Sequence, residues 1–291
     1  MNPVNLTHPT PDIELNWVLR ELVNSIQAVL GDNFIGAYLQ GSFALGDWDT
    51  FSDVDFVVAI EHEVSEAHLA ALQAMHARIY MLESHWAMHL EGSYIPREIL
   101  RHKEFLRRAD SVRTPLQYLD NTFSRLVLSD HDNTLVVRWV TRERGIILAG
   151  PDPKILIDPV PPDDLCQEVL AILRNWAEQI FADPAQINNR FYQPYAVLSY
   201  CRMLYTLHTV TVGSKPAAAR WAQETLEARW RDLIQRARDE RAYPSLRVRQ
   251  PADAEDFKRT LEFIAYALEV SREWDADAIQ SIVYAENTDF I

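Results

Sequence analysis

Small and acidic residues that follow two apolar runs near the N-terminus are suited to binding a phosphate and a metal ion. Gly41 and Ser42 come directly after the first run. Glycine lets the backbone approach a phosphate closely, and Ser42 offers an N–H group and a hydroxyl where a helix is predicted to begin. Asp53 and Asp55 open the second run, which is predicted to be a strand. Residues two apart on a strand point to the same face, so these carboxylates can share hard cations such as Mg²⁺.

The order of these residues resembles the nucleotidyltransferase superfamily with the DNA polymerase β-type palm, whose signature is a Gly-Ser pair, a spacer and an Asp-x-Asp unit. The matching residues are Gly41, Ser42, Gly46, Ser52, Asp53 and Asp55. Most isolated Asp-x-Asp pairs are solvated ends of strands or turns. Both motifs occur here in order, each beside the strand pattern that the site requires, and this context favours the nucleotidyltransferase interpretation.

Glu91 is the candidate for the third carboxylate that this palm places on a neighbouring strand. A strand predicted over 87–95 puts His89, Glu91 and Ser93 on one face, and Glu91 is the only acidic residue within it. The alternative is a solvated glutamate on an edge strand. If the three carboxylates crowd one site, their repulsion is expected to raise the pKa of Glu91.

The pattern of hydrophobic residues and the palm resemblance together predict an α/β (α+β) N-terminal domain with a mixed sheet. Periodicity predicts helices over 11–31, 63–80 and 134–144, and strands over 34–40, 53–60, 87–95 and 146–148. In the second strand, Val54, Phe56 and Val58 are expected on the face opposite the aspartates.

A proline-rich stretch marks the predicted domain boundary. Five prolines fall in the twelve residues 151–162, which stops regular structure. We therefore predict a nucleotidyltransferase domain over 1–157 and an all-α helical-bundle domain over 158–291. Beyond the boundary, apolar spacing predicts helices over 164–181, 190–212, 215–241 and 252–272.

The charge of the chain argues against a nucleic-acid partner. The 291 residues carry a formal net charge of −14. Proteins that hold polynucleotides usually have basic grooves, and the densest basic stretch here, Arg97 to Arg113, is interrupted by acidic residues. A DNA or tRNA substrate is therefore disfavoured. The acidity either steers cationic ligands toward the protein or serves only solubility.

Cysteine content and hydropathy indicate where in the cell the chain is expected to be. Cys166 and Cys201 are too few for a disulfide framework and lack zinc-site spacing. The apolar runs are shorter than the ~20 residues of a membrane span, and the first residues lack a signal-peptide pattern. We expect a cytoplasmic protein without a membrane partner. The oligomeric state is not determined by the sequence, and a monomer is favoured.

Motifs in the second half narrow the resemblance to the aminoglycoside adenylyltransferases of the streptomycin/spectinomycin type. The residues that carry it are Gly150-Pro151, the segments 158–161 and 198–205, Ser214-Lys215 and Trp221-Ala222. In that family a helical domain packs over the palm, and the cleft between them binds ATP and the drug. The resemblance implies Mg²⁺-dependent transfer of AMP from ATP to a hydroxyl of a small molecule, with release of pyrophosphate.

Carried over residue by residue, the resemblance implies a role for each candidate. Asp53 and Asp55 would hold two Mg²⁺ ions, and Glu91 would be the base, a metal ligand or both. Gly41 and Ser42 would bind the triphosphate, which Arg202 and Lys215 would reach from the helical domain. From the residues alone, Arg202 could equally pair with a structural carboxylate, because an arginine among apolar helix residues needs an anionic partner. Lys215 alone would suggest an ordinary solvated lysine.

One position departs from the family pattern and bears on the acceptor. Family members carry an acidic residue about ten positions before the arginine matched by Arg202, and here that position is Tyr192, close to Tyr195. An aromatic face can still hold a cation. We expect the 183–195 stretch to line the mouth of the cleft, and the acceptor to be a cationic or sugar-like small molecule.

Two alternatives of other classes stay open at this point. One is a nucleotidyltransferase that modifies a protein or a tRNA end, as toxin-type members do. The other is a catalytically silent module that only binds a nucleotide. The intact set of Asp53, Asp55 and Glu91 argues against the silent module.

Overall fold

The computed structural model describes residues 8–106, 114–120, 125–240 and 247–274. By its internal packing the chain divides into two compact units, Met1–Val160 and Pro161–Ile291. Within the described part of the chain, every helix is too short or too polar to span a bilayer.

The first unit contains five helices and six strands in its described part. In chain order they are α1 (Ile13–Leu30), β1 (Phe34–Leu39), α2 (Gly41–Leu45), β2 (Val54–Ile60), α3 (Glu66–Tyr80), β3 (Leu90–Pro96), α4 (Arg97–Arg101), β4 (Leu116–Asp120), β5 (Arg125–Ser129), α5 (Leu135–Arg144) and β6 (Ile146–Ala149). Asp12 caps α1, because its side chain accepts a hydrogen bond from the Leu15 N–H.

The six strands form one mixed sheet in the order β5-β4-β3-β2-β1-β6. The β2 and β3 strands run parallel, and the other neighbouring pairs are antiparallel. The predicted mixed sheet is confirmed. Parallel pairing brings the first residues of β2 and β3 side by side, so Asp55 is the register partner of Glu91.

The central strand β2 is buried on both of its faces. Val54, Phe56 and Val58 belong to one core cluster, which also contains the apolar stripe of α1. Val57 and Ala59 belong to a second cluster on the opposite face. A strand covered on both faces is mostly apolar, as β2 is from Phe56 to Ile60. The expectation that Val54, Phe56 and Val58 pack away from the aspartates is confirmed.

The second unit is helical in its described part, as predicted. Its helices are α6 (Pro162–Ala182), α7 (Tyr192–Thr209), α8 (Lys215–Thr225), α9 (Arg231–Asp239) and α10 (Ala254–Val270). The α7 helix is central, because it packs against each of the other four. Its buried residues include Ala196, Tyr200, Cys201 and Leu204.

Two element predictions were wrong, and two strands were missed. The single helix predicted over 215–241 is two helices, because Arg231 Nε donates to the Gln223 carbonyl at 2.9 Å and satisfies the end of α8. The strand predicted from residue 87 begins only at Leu90, and Trp86–His89 form a 3₁₀ turn, so His89 does not share the strand face of Glu91. The strands β4 and β5 were not predicted; in β5 only Leu126 is buried, which leaves no alternating pattern.

Candidate active site

Gly41 allows the Asp55 carboxylate to lie against the start of α2. Its φ is +59°, and a Cβ atom at this position would lie only 1.9 Å from Asp55 Oδ2. The backbone reinforces this approach, since the Gln40 N–H donates to the Asp55 carbonyl at 2.9 Å. A residue with a side chain would displace the carboxylate. Sequence reasoning assigned Gly41 to a phosphate, but in this structure its missing side chain makes room for Asp55.

Ser42 carries a buried hydroxyl beside this contact. In the described part of the chain, its Oγ has no hydrogen-bond partner. A buried polar atom without a partner costs ~1–3 kcal/mol, so such atoms are usually satisfied by a ligand or water. The hydroxyl therefore suits the phosphate role that the sequence predicted for Ser42.

A short polar turn leads into Asp53. The Asp49 carboxylate accepts a hydrogen bond from the Phe51 N–H at 2.9 Å and from the Ser52 hydroxyl at 3.2 Å. Ser52 itself is buried. This turn fixes the chain immediately before Asp53, whose side chain is 47% exposed and whose Oδ1 lies 3.7 Å from His89 Nδ1. Asp53 is thus both held by its neighbours and open to a ligand.

Glu91 lies on the same sheet face as Asp55, because the two are register partners in parallel strands. Its side chain is only 18% exposed. Burial raises the pKa of Glu91 to about 7, and the charges of Asp53 and Asp132 act in the same direction. The expected direction is confirmed, but burial rather than crowding of carboxylates is the largest cause. A carboxyl with a pKa near neutrality can accept and release a proton at physiological pH.

Polar side chains from β4 and from the segment before α5 surround Glu91. The Tyr118 hydroxyl donates to Glu91 Oε1, and His131 Nε2 lies 3.9 Å from the same oxygen. Next to them, the Ser93 hydroxyl donates to Asp132 Oδ2 at 2.8 Å. Burial also raises the pKa of Asp132. The Tyr118 hydrogen bond and His131 oppose the rise in the Glu91 pKa.

The donor atoms of this region suit Mg²⁺. Among the described residues, no three His, Cys, Asp or Glu side chains form a ready-made metal-binding group. Mg²⁺ commonly takes one or two carboxylates together with substrate phosphates, so the oxygens of Asp53, Asp55 and Glu91 are of the right kind. Asp53 is close enough to Glu91 for its charge to affect the Glu91 pKa.

In the second unit, the candidate cations lie on α7 and at the first position of α8. Arg202 is half-buried in the middle of α7. Its guanidinium makes no hydrogen bond or ion pair with another described residue, so the structural carboxylate considered for it is not found there. Lys215 follows Ser214, which caps α8 by accepting from the Ala217 N–H at 3.1 Å.

Aromatic side chains gather around the start of α7 in the same unit. The Phe191 ring lies 4.9 Å from Tyr192 and 6.0 Å from Tyr195, between centroids. Trp176 of α6 meets Tyr195 edge-on at 6.0 Å. Tyr192 is 42% exposed and Tyr195 is 36% exposed. Both rings therefore present aromatic surface to solvent within this unit.

Comparison with known proteins assigns this chain to a family. The model of the nucleotidyltransferase domain matches residues 20–113, and the model of the aminoglycoside adenylyltransferase C-terminal domain matches residues 155–268. The two models together cover most of the chain, in domain order, and support an aminoglycoside adenylyltransferase. The chain is accordingly a nucleotidyltransferase enzyme, and the resemblance inferred from the sequence is confirmed.

Individual relatives agree with this assignment. The adenylyltransferase chain is 25% identical over 263 residues to an aminoglycoside (3'') (9) adenylyltransferase of Shigella flexneri, covering 87% of this chain and 93% of that protein. It is 24% identical over 236 residues to one from Rhizobium radiobacter, covering 78% and 82%. The spectinomycin adenyltransferase of Enterococcus faecialis, solved with ATP and spectinomycin, matches in fold with a TM-score of 0.62 at 15% identity, covering 87% of this chain and 98% of that one.

The adenylyltransferase fold brings the sequence-predicted residues together in two sets. In the first unit, one set lies at one end of the central strands: Gly41, Ser42, Asp53, Asp55 and Glu91. Arg202, Lys215, Tyr192 and Tyr195 belong to α7 and α8 in the second unit.

Sequence reasoning missed three residues around Glu91 in this adenylyltransferase. Tyr118, His131 and Asp132 meet Glu91 or its neighbour Ser93 only because β4 pairs with β3 and the segment before α5 returns to the sheet. The signal that was available is the strand alternation, which places Ser93 on the Glu91 face and marks that face as polar.

Proposed function

We propose that this adenylyltransferase transfers AMP from ATP to a hydroxyl of an aminoglycoside-type antibiotic in a Mg²⁺-dependent reaction that releases pyrophosphate. The observation that carries the proposal is the pairing of Asp55 with Glu91 on one sheet face, with Glu91 partly buried and its pKa near 7. The names of its relatives support the acceptor class, since those proteins act on aminoglycosides or were solved with spectinomycin.

Glu91 is the proposed proton acceptor. The acceptor hydroxyl oxygen attacks the α-phosphorus of ATP, and the bond from that phosphorus to the oxygen bridging to the β-phosphate breaks. The hydroxyl proton passes to a Glu91 oxygen, and pyrophosphate leaves with the bonding electron pair. General-base assistance of this kind contributes ~10²–10⁴-fold to rates. The product is an acceptor that carries AMP on the former hydroxyl oxygen.

Asp53, Asp55 and Glu91 are the proposed holders of two Mg²⁺ ions. When bound, the ions supply charge neutralisation at the α-phosphate and at the departing pyrophosphate, and they lower the pKa of the acceptor hydroxyl. Gly41 keeps Asp55 in place by leaving room for its carboxylate. Ser42 offers its buried hydroxyl and its N–H group to the triphosphate.

The second unit is proposed to supply nucleotide and acceptor contacts. Arg202 and Lys215 would bind phosphate oxygens, for which a charge-assisted hydrogen bond contributes ~1.5–3 kcal/mol. Tyr192 would hold a cationic acceptor by its exposed aromatic face, for ~0.5–2 kcal/mol, and Tyr195, whose ring carries the Lys215 ammonium, would line the acceptor site beside it. Streptomycin- and spectinomycin-like drugs are therefore the first acceptors to test, with binding weaker than a carboxylate at position 192 would give.

The test is incubation with MgATP and a panel of aminoglycosides, followed by mass spectrometry for one added AMP. We expect an adduct with at least one streptomycin- or spectinomycin-type drug, and no adduct with the Asp53→Ala variant as matched control. Absence of any drug adduct would contradict the proposed acceptor. AMP found instead on a protein or on tRNA would overturn the small-molecule assignment and favour the macromolecule-modifying alternative.

A further inference from the structure

Tyr118 lies on the strand next to that of Glu91 and on the same face of the sheet. It is the register partner of Ser93 in the antiparallel pair of β3 and β4. Residues opposite each other in such a pair point to the same face, and Ser93 shares its face with Glu91, two positions earlier. Asp55, Glu91 and Tyr118 therefore follow one another across three adjacent strands on a single face.

The hydroxyl of Tyr118 forms a hydrogen bond with the carboxylate of Glu91. It donates to Oε1, whereas His131 Nε2 lies 3.9 Å from this oxygen, beyond hydrogen-bond distance. The Tyr118 ring itself is held, since the residue is 9% exposed and its ring centroid lies 5.2 Å from that of His131. A fixed ring that donates to one carboxylate oxygen restricts the rotation of the glutamate side chain.

The neighbouring charges keep Tyr118 a donor. Burial raises the pKa of the Tyr118 phenol, and the negative charges of Glu91, Asp132 and Asp120 raise it further. The neutral phenol donates the hydrogen bond, and the carboxylate oxygen of Glu91 accepts it. A phenylalanine would fill the same space without this hydrogen bond, so the hydroxyl adds a function that packing does not require.

We propose that Tyr118 is a positioning residue, which holds the Glu91 carboxylate in the orientation from which it accepts the acceptor proton. The inference rests on the proposed function of Glu91 and deepens it. Loss of the hydroxyl removes this hold on the carboxylate, so that fewer bound complexes have the base in place. The proposed triphosphate contacts come from other residues, Gly41 and Ser42 among them, so nucleotide binding is expected to change little.

The first test combines Tyr118→Phe with Glu91→Gln in a double-mutant cycle. We expect Tyr118→Phe to lower kcat by ~10- to 100-fold while the KM for ATP changes by less than about threefold. In the Glu91→Gln background, the same change should alter kcat by less than about threefold, because the group it positions is already disabled. An equal loss in both backgrounds, or an unchanged kcat in the single variant, would overturn the proposal.

Tyr38→Phe is the matched control. It also removes one hydroxyl from a buried ring of the first unit, where Tyr38 donates to the Pro151 carbonyl at 2.8 Å, away from Glu91. We expect it to keep the kcat of the wild type within about twofold, as is usual for a substitution outside the reacting groups. If Tyr38→Phe lowers kcat as much as Tyr118→Phe does, the effect belongs to general destabilisation and the positioning role is refuted.

A second readout does not need catalysis. Crystal structures of the wild type and of Tyr38→Phe should show Glu91 hydrogen-bonded to Tyr118, whereas Tyr118→Phe should show the carboxylate turned away or in several rotamers. An unmoved, singly ordered carboxylate in Tyr118→Phe overturns the positioning role. A wild type that transfers no AMP to any acceptor overturns the proposed function instead, and the crystal structures still decide whether Tyr118 orients Glu91.

Discussion

The Lys215 ammonium lies over the ring of Tyr195, with Nζ 4.1 Å from the ring centroid. The sequence assigned these two residues to different partners, Lys215 to a phosphate and Tyr195 to the acceptor. Their contact makes them neighbours within the second unit, between the first turns of α7 and α8. A contact of this kind restricts where the ammonium can lie, so Tyr195 can orient Lys215.

Replacing Tyr195 should therefore affect ATP as well as the acceptor. We expect Tyr195→Leu to raise the KM for ATP by ~2- to 5-fold, the equivalent of losing an exposed cation–π contact of ~0.5–1 kcal/mol. Tyr195→Phe keeps the ring and should stay within about twofold of the wild type by the same reasoning. Steady-state kinetics at saturating acceptor checks this. A normal KM for ATP in the leucine variant would show that Lys215 does not depend on the ring.

Asp53→Ala should abolish AMP transfer and leave the fold intact. Its carboxylate is about half exposed, so its removal should change the free energy of unfolding by only ~0.5 kcal/mol. The loss of a metal ligand removes several kcal/mol of transition-state stabilisation by contrast. Turnover and urea denaturation of the same sample measure both effects. A rate above about a tenth of the wild type would show that Asp53 is not an essential ligand.

Glu91→Gln should separate catalysis from binding. The amide keeps the shape of the side chain but cannot accept the proton, so kcat should fall by ~10²–10⁴-fold. Calorimetry with MgATP should give an affinity close to that of the wild type. An equal loss of nucleotide affinity would identify Glu91 as a primary metal ligand rather than the base.

Gly41 and Gly46 offer a matched pair of glycine substitutions. Both have positive φ, +59° and +78°, but a Cβ at Gly46 would meet no heavy atom within 4 Å, whereas one at Gly41 would collide with Asp55. Each alanine variant should lose ~1–2 kcal/mol from left-handed backbone strain. Only Gly41→Ala should also lose most of its activity, because it displaces the Asp55 carboxylate. Equal activity in the two variants would contradict the role given to this contact.

The lowered pKa of the buried His76 should make the stability of the protein depend on pH. Burial lowers the pKa of His76 to about 3, and its Nε2 lies 2.7 Å from the Tyr94 hydroxyl. Between about pH 3 and 6.5 the unfolded chain thus binds a proton that the folded chain does not. The free energy of unfolding should therefore fall as pH drops below about 6.5, by at most ~1.4 kcal/mol per pH unit from this group.

The His76→Gln variant isolates that contribution. Glutamine can still accept a hydrogen bond from Tyr94 but does not titrate in this range. Urea denaturation at pH 6 and pH 5 should show the wild type losing ~1 kcal/mol more than the variant over this interval. Parallel losses in both proteins would mean that His76 is not held neutral in the folded state.

How much could be predicted from the sequence depended on the separation of the residues that interact. Helix α1 and strand β2 were predicted well, because a helical stripe and a continuous apolar run are local patterns. Asp53 and Asp55 could be proposed as site residues for the same reason. Tyr118 and Asp132 were not, since they lie 27 and 39 residues from the groups that they bond, Glu91 and Ser93. Contacts between residues so far apart in the sequence form only when the sheet has assembled, so no local pattern predicts them.

The most direct test of the account follows pyrophosphate and AMP together. With MgATP and a drug that accepts AMP, the wild type should release one pyrophosphate for each AMP joined to the drug. Neither product should form with Asp55→Ala or without Mg²⁺. Pyrophosphate release without an acceptor, or full transfer by Asp55→Ala, would contradict AMP transfer at the carboxylates of the paired strands.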